Sequence, residues 1–327
     1  MEHFKMFIGG KFVDAKSGKT MQCVDPGTGQ PLATVPRGGA ADADAAVKAA
    51  RKAFDSGAWS GLSLQERSEI IMEWADLLDM ESTRLTIHES QNSGAPVSGV
   101  GGVLWLGGMT IRNLAWYATN KFPWQEELKQ TGSIWAWGTN TIIREPVGVC
   151  VGIIPWNTPV LAAIWNITHA IAMGNTIVLK PASDTPVSAL IMAETVAKSR
   201  IPKGVVNIVT GPGGEIGEAL CRHPLVDKIS FTGSTEVGQR IMSLGSETVK
   251  KVTLELGGKS ANIVLEDADI DCAVDGALVA IMYNTGQICS AGSRLLVPRS
   301  IYDQFLTRLK KRVEDVKPGY QLSLIHI

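Results

Sequence analysis

Along the first part of the chain the apolar residues gather in two short pieces, KMFIGGKFVD and GQPLATVPR, each punctuated by Gly or Pro, and both read as strands. ADADAAVKAARKAFDS and SLQERSEIIMEWADLLDMESTRLTIHES follow, with apolar positions three and four apart, as on one face of a helix. Ser63 and Glu66 have the spacing of a capping box at the start of the second. TGSIWAWGTNTIIREP, residues 131–146, alternates as exposed or edge strands do. After it the rhythm changes to strand, turn and helix, repeated. The strands are GVCVGII, NTIVLK, VVNIVTG, DKISFTG and KKVTLEL, and helical patterns such as VSALIMAETVAKSR and STEVGQRIMSLG lie between them. That alternation predicts an α/β fold with a parallel sheet and helices on both faces. A last helix, YDQFLTRLKKRVEDV, is expected near the end.

Composition sets limits on this picture. The chain of 327 residues is 45% hydrophobic, enough for a large core and more than one domain. Lys and Arg number 31 against 32 Asp and Glu, with no long single-sign run, so neither nucleic acid nor a membrane surface is expected as a partner. The most apolar window, VGGVLWLGGMTI at 100–111, is too short to cross a bilayer. Cys23, Cys150, Cys221, Cys272 and Cys289 are an odd number without CxxC spacing, which argues against a disulfide framework and for a reducing compartment. His3, His88, His169, His223 and His326 show no metal-ligand spacing, and no metal is expected. The opening MEHFKMFIGGKFVD lacks the apolar core of a signal peptide, so a cytoplasmic protein is expected.

Candidate chemistry lies in the turns at the carboxyl ends of the predicted strands, the edge where such sheets bind ligands. FTGSTEVG, 231–238, leaves a strand and opens a helix, placing Gly233 and Ser234 where exposed N–H groups and the helix dipole favour a phosphate. An ordinary turn with a serine cap explains the same residues, because the spacing is not GxGxxG. GPGGEIGEAL, 211–220, is a second Gly-rich turn ahead of a helix, and Lys180 closes the strand NTIVLK. Cys289 stands in NTGQICSAGSR, among residues small enough to admit a substrate, although a cysteine is commonly just a small core hydrophobe. Glu255 lies between Leu254 and Leu256 in an apolar strand, where an ionised carboxylate is costly without a purpose or a partner. Asn157, after Pro155 and Trp156, also fits a plain turn or helix cap.

The motifs IPWNTPV (154–160), TIVLKPASDTP (176–186), FTGSTEVG (231–238), LELGGKSA (254–261) and GQICSAGSR (286–294) stand in an order and spacing that resembles the aldehyde dehydrogenase superfamily, from Phe7 to about Gly319. The resemblance implies a Rossmann-like cofactor-binding domain at 1–127 and 147–257 and bridging or oligomerisation strands at 128–146. It further implies the start of a second α/β catalytic domain at 258–321, and homodimeric or homotetrameric relatives. The implied reaction oxidises an aldehyde to a carboxylic acid with NAD(P)+. Cys289 would be the nucleophile, and Asn157 with the Cys289 backbone N–H the oxyanion donors. Glu255, as a partly desolvated carboxylate, would activate water, and its presence points to the hydrolytic branch rather than to acyl transfer to coenzyme A.

The cofactor, by the same resemblance, would meet Ile154, Pro155, Trp156, Lys180, Ser183, Gly213, Gly217, Phe231, Gly233, Ser234, Val237 and Leu256, with Lys180 on the adenosine ribose. Many NAD-using relatives carry a glutamate at the position of Ser183. Serine does not repel a 2′-phosphate, so NADP is expected to be tolerated or preferred. Trp165 would line a substrate tunnel or belong to the core, and the other four cysteines would be structural. Two alternatives stand beside this reading. One is a non-catalytic NAD(P)-binding fragment, the other a thiol esterase, since ester hydrolysis by Cys289 needs no hydride acceptor.

Family members continue well past the helix after the nucleophile. The chain is therefore expected to be a C-terminally truncated fragment with an incomplete catalytic domain, exposing apolar surface and unpaired strand groups. Its last residues, LSLIHI (322–327), depart from the family and match the translation of a transposon-end adapter used in DNA sequencing. We expect codons 322–327 of the encoding DNA to spell that adapter; any other sequence there overturns this origin.

Overall fold

The computed structural model describes residues 1–128 and 140–323. Its strands are β1 (Glu2–His3), β2 (Met6–Ile8), β3 (Lys11–Val13), β4 (Thr20–Val24), β5 (Pro31–Pro36), β6 (Gln125–Leu128), β7 (Asn140–Ile143), β8 (Val149–Ile153), β9 (Thr176–Lys180), β10 (Val206–Ile208), β11 (Lys228–Gly233), β12 (Lys251–Leu256), β13 (Ala261–Ile263) and β14 (Arg294–Leu296). The helices are α1 (Ala40–Asp55), α2 (Leu64–Met80), α3 (Ser82–Ser93), α4 (Val97–Asn120), α5 (Pro159–Ala172), α6 (Val187–Lys198), α7 (Glu218–Arg222), α8 (Thr235–Ser246), α9 (Ile270–Met282) and α10 (Tyr302–Glu314).

The strands predicted from the alternation pair in parallel in the order β12-β11-β8-β9-β10, and the hairpin β2–β3 extends the sheet antiparallel beyond β10. Side chains of each strand alternate between two faces, and both are covered at β8, β9 and β10. In β9, Ile177 and Leu179 enter a core built with α2 to α6, while Val178 enters an opposite core with α1, α7 and α8. KMFIGGKFVD is a hairpin because Gly9 and Gly10 take φ of 58° and 79°, the left-handed pair that a two-residue turn needs. GQPLATVPR supplies β5, flanked by β1 and β4 in a three-stranded sheet.

The helical pattern after Ser63 breaks at Glu81 into α2 and α3. Its capping box forms: the Glu66 N–H donates to Ser63 Oγ at 3.2 Å and the Ser63 N–H to Glu66 Oε2 at 3.0 Å. The apolar 100–111 window is part of α4, and Gly107 lets that helix lie close on α5, since a Cβ there would come within 2.6 Å of Ile164. Among the described residues no helix is long and apolar enough to cross a membrane. Of the strands expected over 131–146, residues 131–139 lie outside the described residues, and Asn140–Ile143 forms β7, paired with β6.

Beyond β12 a separate small core forms. β13 and β14 pair in parallel, and Val264, Val274, Ala277 and Phe305 pack α9 and α10 against them. Ile263, Leu265, Leu295 and Leu296 stay exposed, as the expected apolar surface requires. Residues 320–321 reach back to the start of the chain. Tyr320 Oη donates to Asp25 Oδ2 at 2.8 Å and Gln321 Nε2 to Asp25 Oδ1 at 2.6 Å.

One fully enclosed carboxylate ties three helices of the larger core. Glu89 on α3 accepts the Val160 N–H of α5 at 2.9 Å and the Ser188 hydroxyl of α6 at 2.5 Å. Burial pushes this carboxyl up to about 7 from 4.5, against the pull of both hydrogen bonds. A raised folded value means that the folded state holds a proton which the unfolded state has lost. The resulting stability is present below about pH 4.5 and disappears as the pH rises through about 7. Glu89→Gln should flatten this dependence, so that wild type loses Tm relative to the variant across that window. Parallel Tm profiles for the two would overturn the assignment.

Candidate active site

Parallel register delivers the carboxyl ends of β8, β9, β11 and β12 to one edge. Ile153 stands opposite both Lys180 and Phe231, Thr232 opposite Glu255, and Gly233 opposite Leu256. The Ile154 N–H continues the ladder to the Lys180 carbonyl at 3.1 Å. Ile154 is buried, Pro155 half-buried and Trp156 exposed where the chain leaves the sheet.

One half of this edge suits a dinucleotide. Ser234 caps α8, its Oγ accepting the Val237 N–H at 3.3 Å, while the Val237 side chain is exposed. A Cβ on Gly233 would fall 2.4 Å from the buried Phe231 ring, and one on Gly238 would fall 2.7 Å from Leu256. Gly238 lets α8 seat closely on β12, and Gly233 leaves room for the Phe231 ring within β11. Ser183 Oγ donates to the Gly211 carbonyl at 3.0 Å, joining the turns that follow β9 and β10. Gly213 and Gly214 in the second turn face open space, and Gly217 faces the Lys180 stem, with a Cβ reaching Cδ at 3.8 Å.

Lys180 is 3% exposed, and its Nζ donates to the Pro181 carbonyl at 2.9 Å. An ammonium carries three donors, and the others have no partner among the described residues. Burial pulls Lys180 down to about 8, partly offset by Asp184. Spare donors on an enclosed amine, beside glycine turns with room around them, fit the hydroxyls and phosphates of a dinucleotide.

The other half brings the loop of Cys289 to the sheet. Asn157 Nδ2 donates to the Gln287 carbonyl at 2.6 Å, and Asn284 Nδ2 returns a bond to the Asn157 carbonyl at 2.9 Å. Behind them, a Cβ on Gly258 would lie 3.9 Å from the Cys289 carbonyl oxygen, so the backbone after Glu255 also reaches the loop. Asn284, Thr285 and Gly286 run left-handed, with φ of 49°, 56° and 80°. For Thr285, branched at Cβ, this is a strained conformation costing about 1–3 kcal/mol. The Gln287 N–H to Asn284 carbonyl bond, at 3.1 Å, closes the turn. Cys289 is exposed at its exit, and its backbone N–H has no acceptor among the described residues.

Three expectations change. Glu255 was expected to be partly desolvated between two leucines, but β12 is the sheet's last strand. Its alternation turns Leu254 and Leu256 toward the core and leaves Glu255 exposed. Cys272, expected to be structural with the other three, is exposed in the first turn of α9; Cys23, Cys150 and Cys221 are buried, and desolvation pushes each thiol up to about 12. Trp165 on α5 is 46% exposed, which removes the core reading. Asn284 and Gln287 were missed. They meet Asn157 across more than a hundred residues of chain, and nothing local in NTGQ announces such a bond.

The aldehyde dehydrogenase family model matches residues 12–323, including two residues of the 322–327 segment expected to fall outside the family. The chain is 41% identical to betaine aldehyde dehydrogenase of Bacillus subtilis (strain 168) over 322 residues, which are 96% of this chain and 63% of that protein. It is 42% identical to the mitochondrial benzaldehyde dehydrogenase of Antirrhinum majus over 315 residues, 95% of this chain and 58% of the relative. Among solved structures, the NAD+ complex of an aldehyde dehydrogenase from Bacillus cereus superposes with a TM-score of 0.94 at 41% identity, covering 99% of this chain and 65% of that one. This chain thus spans less than two thirds of each of these proteins. With the motif residues gathered at one sheet edge and the match running over nearly its whole length, the chain belongs to the aldehyde dehydrogenase family.

Proposed function

We propose that the protein oxidises an aldehyde to a carboxylic acid with NAD(P)+ and water, yielding NAD(P)H and protons. The observation that carries this reading is the meeting of Asn157 with the loop of Cys289, beside the strand end of Glu255 and across one edge from Lys180. Residues 1–127 and 147–257 then hold the cofactor, and the segment from 258 brings the nucleophile. The NAD+ bound in the Bacillus cereus relative supports a nicotinamide cofactor. Ser183, neutral where a glutamate would repel a 2′-phosphate, supports tolerance of NADP. Relatives named for betaine aldehyde and for benzaldehyde are equally similar to this chain, so identity supports an aldehyde without choosing one. Exposed apolar residues on β6 and β7, Leu128, Ile142 and Ile143, support pairing into a homodimer or homotetramer. The odd, unpaired set of cysteines supports a cytoplasmic setting.

NAD(P)+ would supply the hydride acceptor; Lys180 would meet a ribose, and the α8 N-terminus with Ser234 and the 211–217 turn would hold the phosphates. Cys289 Sγ, as thiolate, bonds to the carbonyl carbon, and the oxygen takes up the negative charge. The Cys289 N–H and the Asn157 N–H not spent on Gln287 are the donors that can meet it. Loss of hydride leaves a thioester on Cys289. Glu255 then takes a proton from water, the hydroxyl attacks the thioester, and the thiolate departs as the carboxylate forms.

Cys289→Ala should remove both NAD(P)H formation and ester hydrolysis. Glu255→Gln should slow thioester breakdown by about 10²–10⁴-fold, with acylation less affected, so a burst of NAD(P)H precedes slow turnover. Full aldehyde oxidation by the Cys289 variant would remove this reading. Ester hydrolysis without NAD(P)H formation in wild type would favour a thiol esterase, and nucleotide binding without either a cofactor-binding fragment. Ser183→Glu should shift preference toward NAD, weakening NADP+ by about tenfold or more through charge repulsion. A hundredfold NAD preference already present in wild type would refute the role of Ser183.

A further inference from the structure

Two helices enter this edge without a side-chain cap of their own. α5 follows the loop bearing Asn157, its N-cap Thr158 makes no side-chain bond, and Pro159 has no N–H to offer. α6 follows the loop from Lys180 through Ser183, and its N-cap is Pro186. A single turn of α3 serves both. Glu89 accepts the Val160 N–H of α5 on one oxygen and the Ser188 hydroxyl of α6 on the other. One turn on, Asn92 Oδ1 accepts the Val187 N–H at 3.2 Å, and its Nδ2 donates to the Asp184 carbonyl at 2.8 Å. Glu89, Asn92 and Ser188 are 3%, 4% and 0% exposed, so no water substitutes for these contacts at no cost.

We propose that Glu89 is a positioning residue. It fixes the start of α5 against the start of α6, and thereby sets Asn157 at a constant distance from Lys180 and Ser183. Glu89 touches neither substrate nor cofactor in this arrangement; what the two loops bind rests on the function proposed above. The chemistry suits a carboxyl group, because each of its two oxygens accepts from a donor at the start of a helix. Val160 lies three residues past Asn157, within the first turn of α5, so releasing its N–H frees the loop as well as the helix end. Ser188 stands likewise just after the 181–186 loop. The bridge is a direct physical link between the oxyanion donor and the ribose side of the site. No other side chain among the described residues bonds to the starts of both helices.

Hydrogen exchange on the whole chain, read over peptides 154–161 and 181–188, tests this together with NADPH titration. Glu89→Met removes both acceptors and keeps the bulk; exchange should rise about tenfold or more in both segments, with α10 unchanged. Affinity for NADPH should fall by about tenfold in the same variant. Glu89→Gln still accepts from Val160 and can donate to a rotated Ser188 hydroxyl, so it should stay within about threefold of wild type in both measurements. Ser188→Ala cuts one arm and should loosen 181–188 alone, which keeps the test decisive if Glu89→Met fails to fold. Unchanged exchange in both loops, or a rise spread evenly over all helices, would overturn the proposal. Wild type that binds no NADPH would remove the functional reading, while the exchange comparison would still decide whether Glu89 holds the loops.

Discussion

Parallel pairing is the constraint from which the site follows. A parallel strand cannot be joined to its neighbour by a tight turn, so β8, β9, β11 and β12 all release the chain at the same edge. Each release enters a helix or a loop, and Asn157, Lys180, Ser183, Ser234 and Glu255 sit at or just past those ends. Their proximity is a property of strand register before it is a property of any side chain. The glycines then decide how closely the helices approach. Gly238 admits Leu256 where any Cβ would collide, so α8 packs closely on β12.

Polar groups hold this edge in shape, and they do so from a distance. Helices that begin with proline or with an unbonded cap leave N–H groups that the local sequence cannot satisfy. α3 supplies the missing acceptors, and burial of Glu89 makes that arrangement sensitive to protonation. On the other side, the Asn157 and Asn284 amides bind each other's backbone neighbourhood and keep the left-handed turn at Thr285 in place. Backbone strain of this kind persists only where the surroundings over-determine it. Here two bonds to the sheet edge and several within the turn do so.

Patterns with a short range were legible in the residues. The five parallel strands, the Ser63–Glu66 capping box and the helix over 302–314 follow from period, β-branched content and cap chemistry, all of which act within a few residues. The break at Glu81 was not legible, because apolar spacing runs on through it and only packing of two helix axes separates α2 from α3. The exposure of Glu255 escaped for a related reason. Leu-Glu-Leu in a central strand would bury its carboxylate, whereas at the last position of the sheet the outer face is open. Strand order, which no single strand encodes, decides between these outcomes.

By itself the sequence determined the class of fold and the family, and it singled out the candidate groups: a thiol among small residues, a carboxylate on a strand, an amide after Pro-Trp, a lysine at a strand end. These are statements about residue type and local spacing, and covalent neighbours suffice to make them. Only the tertiary structure decided which of those groups meet, which are enclosed and which hold the others in place. Lys180 keeps spare donors because the sheet edge buries it, and Glu89 joins two loops because three helices converge on it. Desolvation and hydrogen bonding between distant segments exist only once the chain has closed on itself, so no reading of neighbours along the chain could have supplied them.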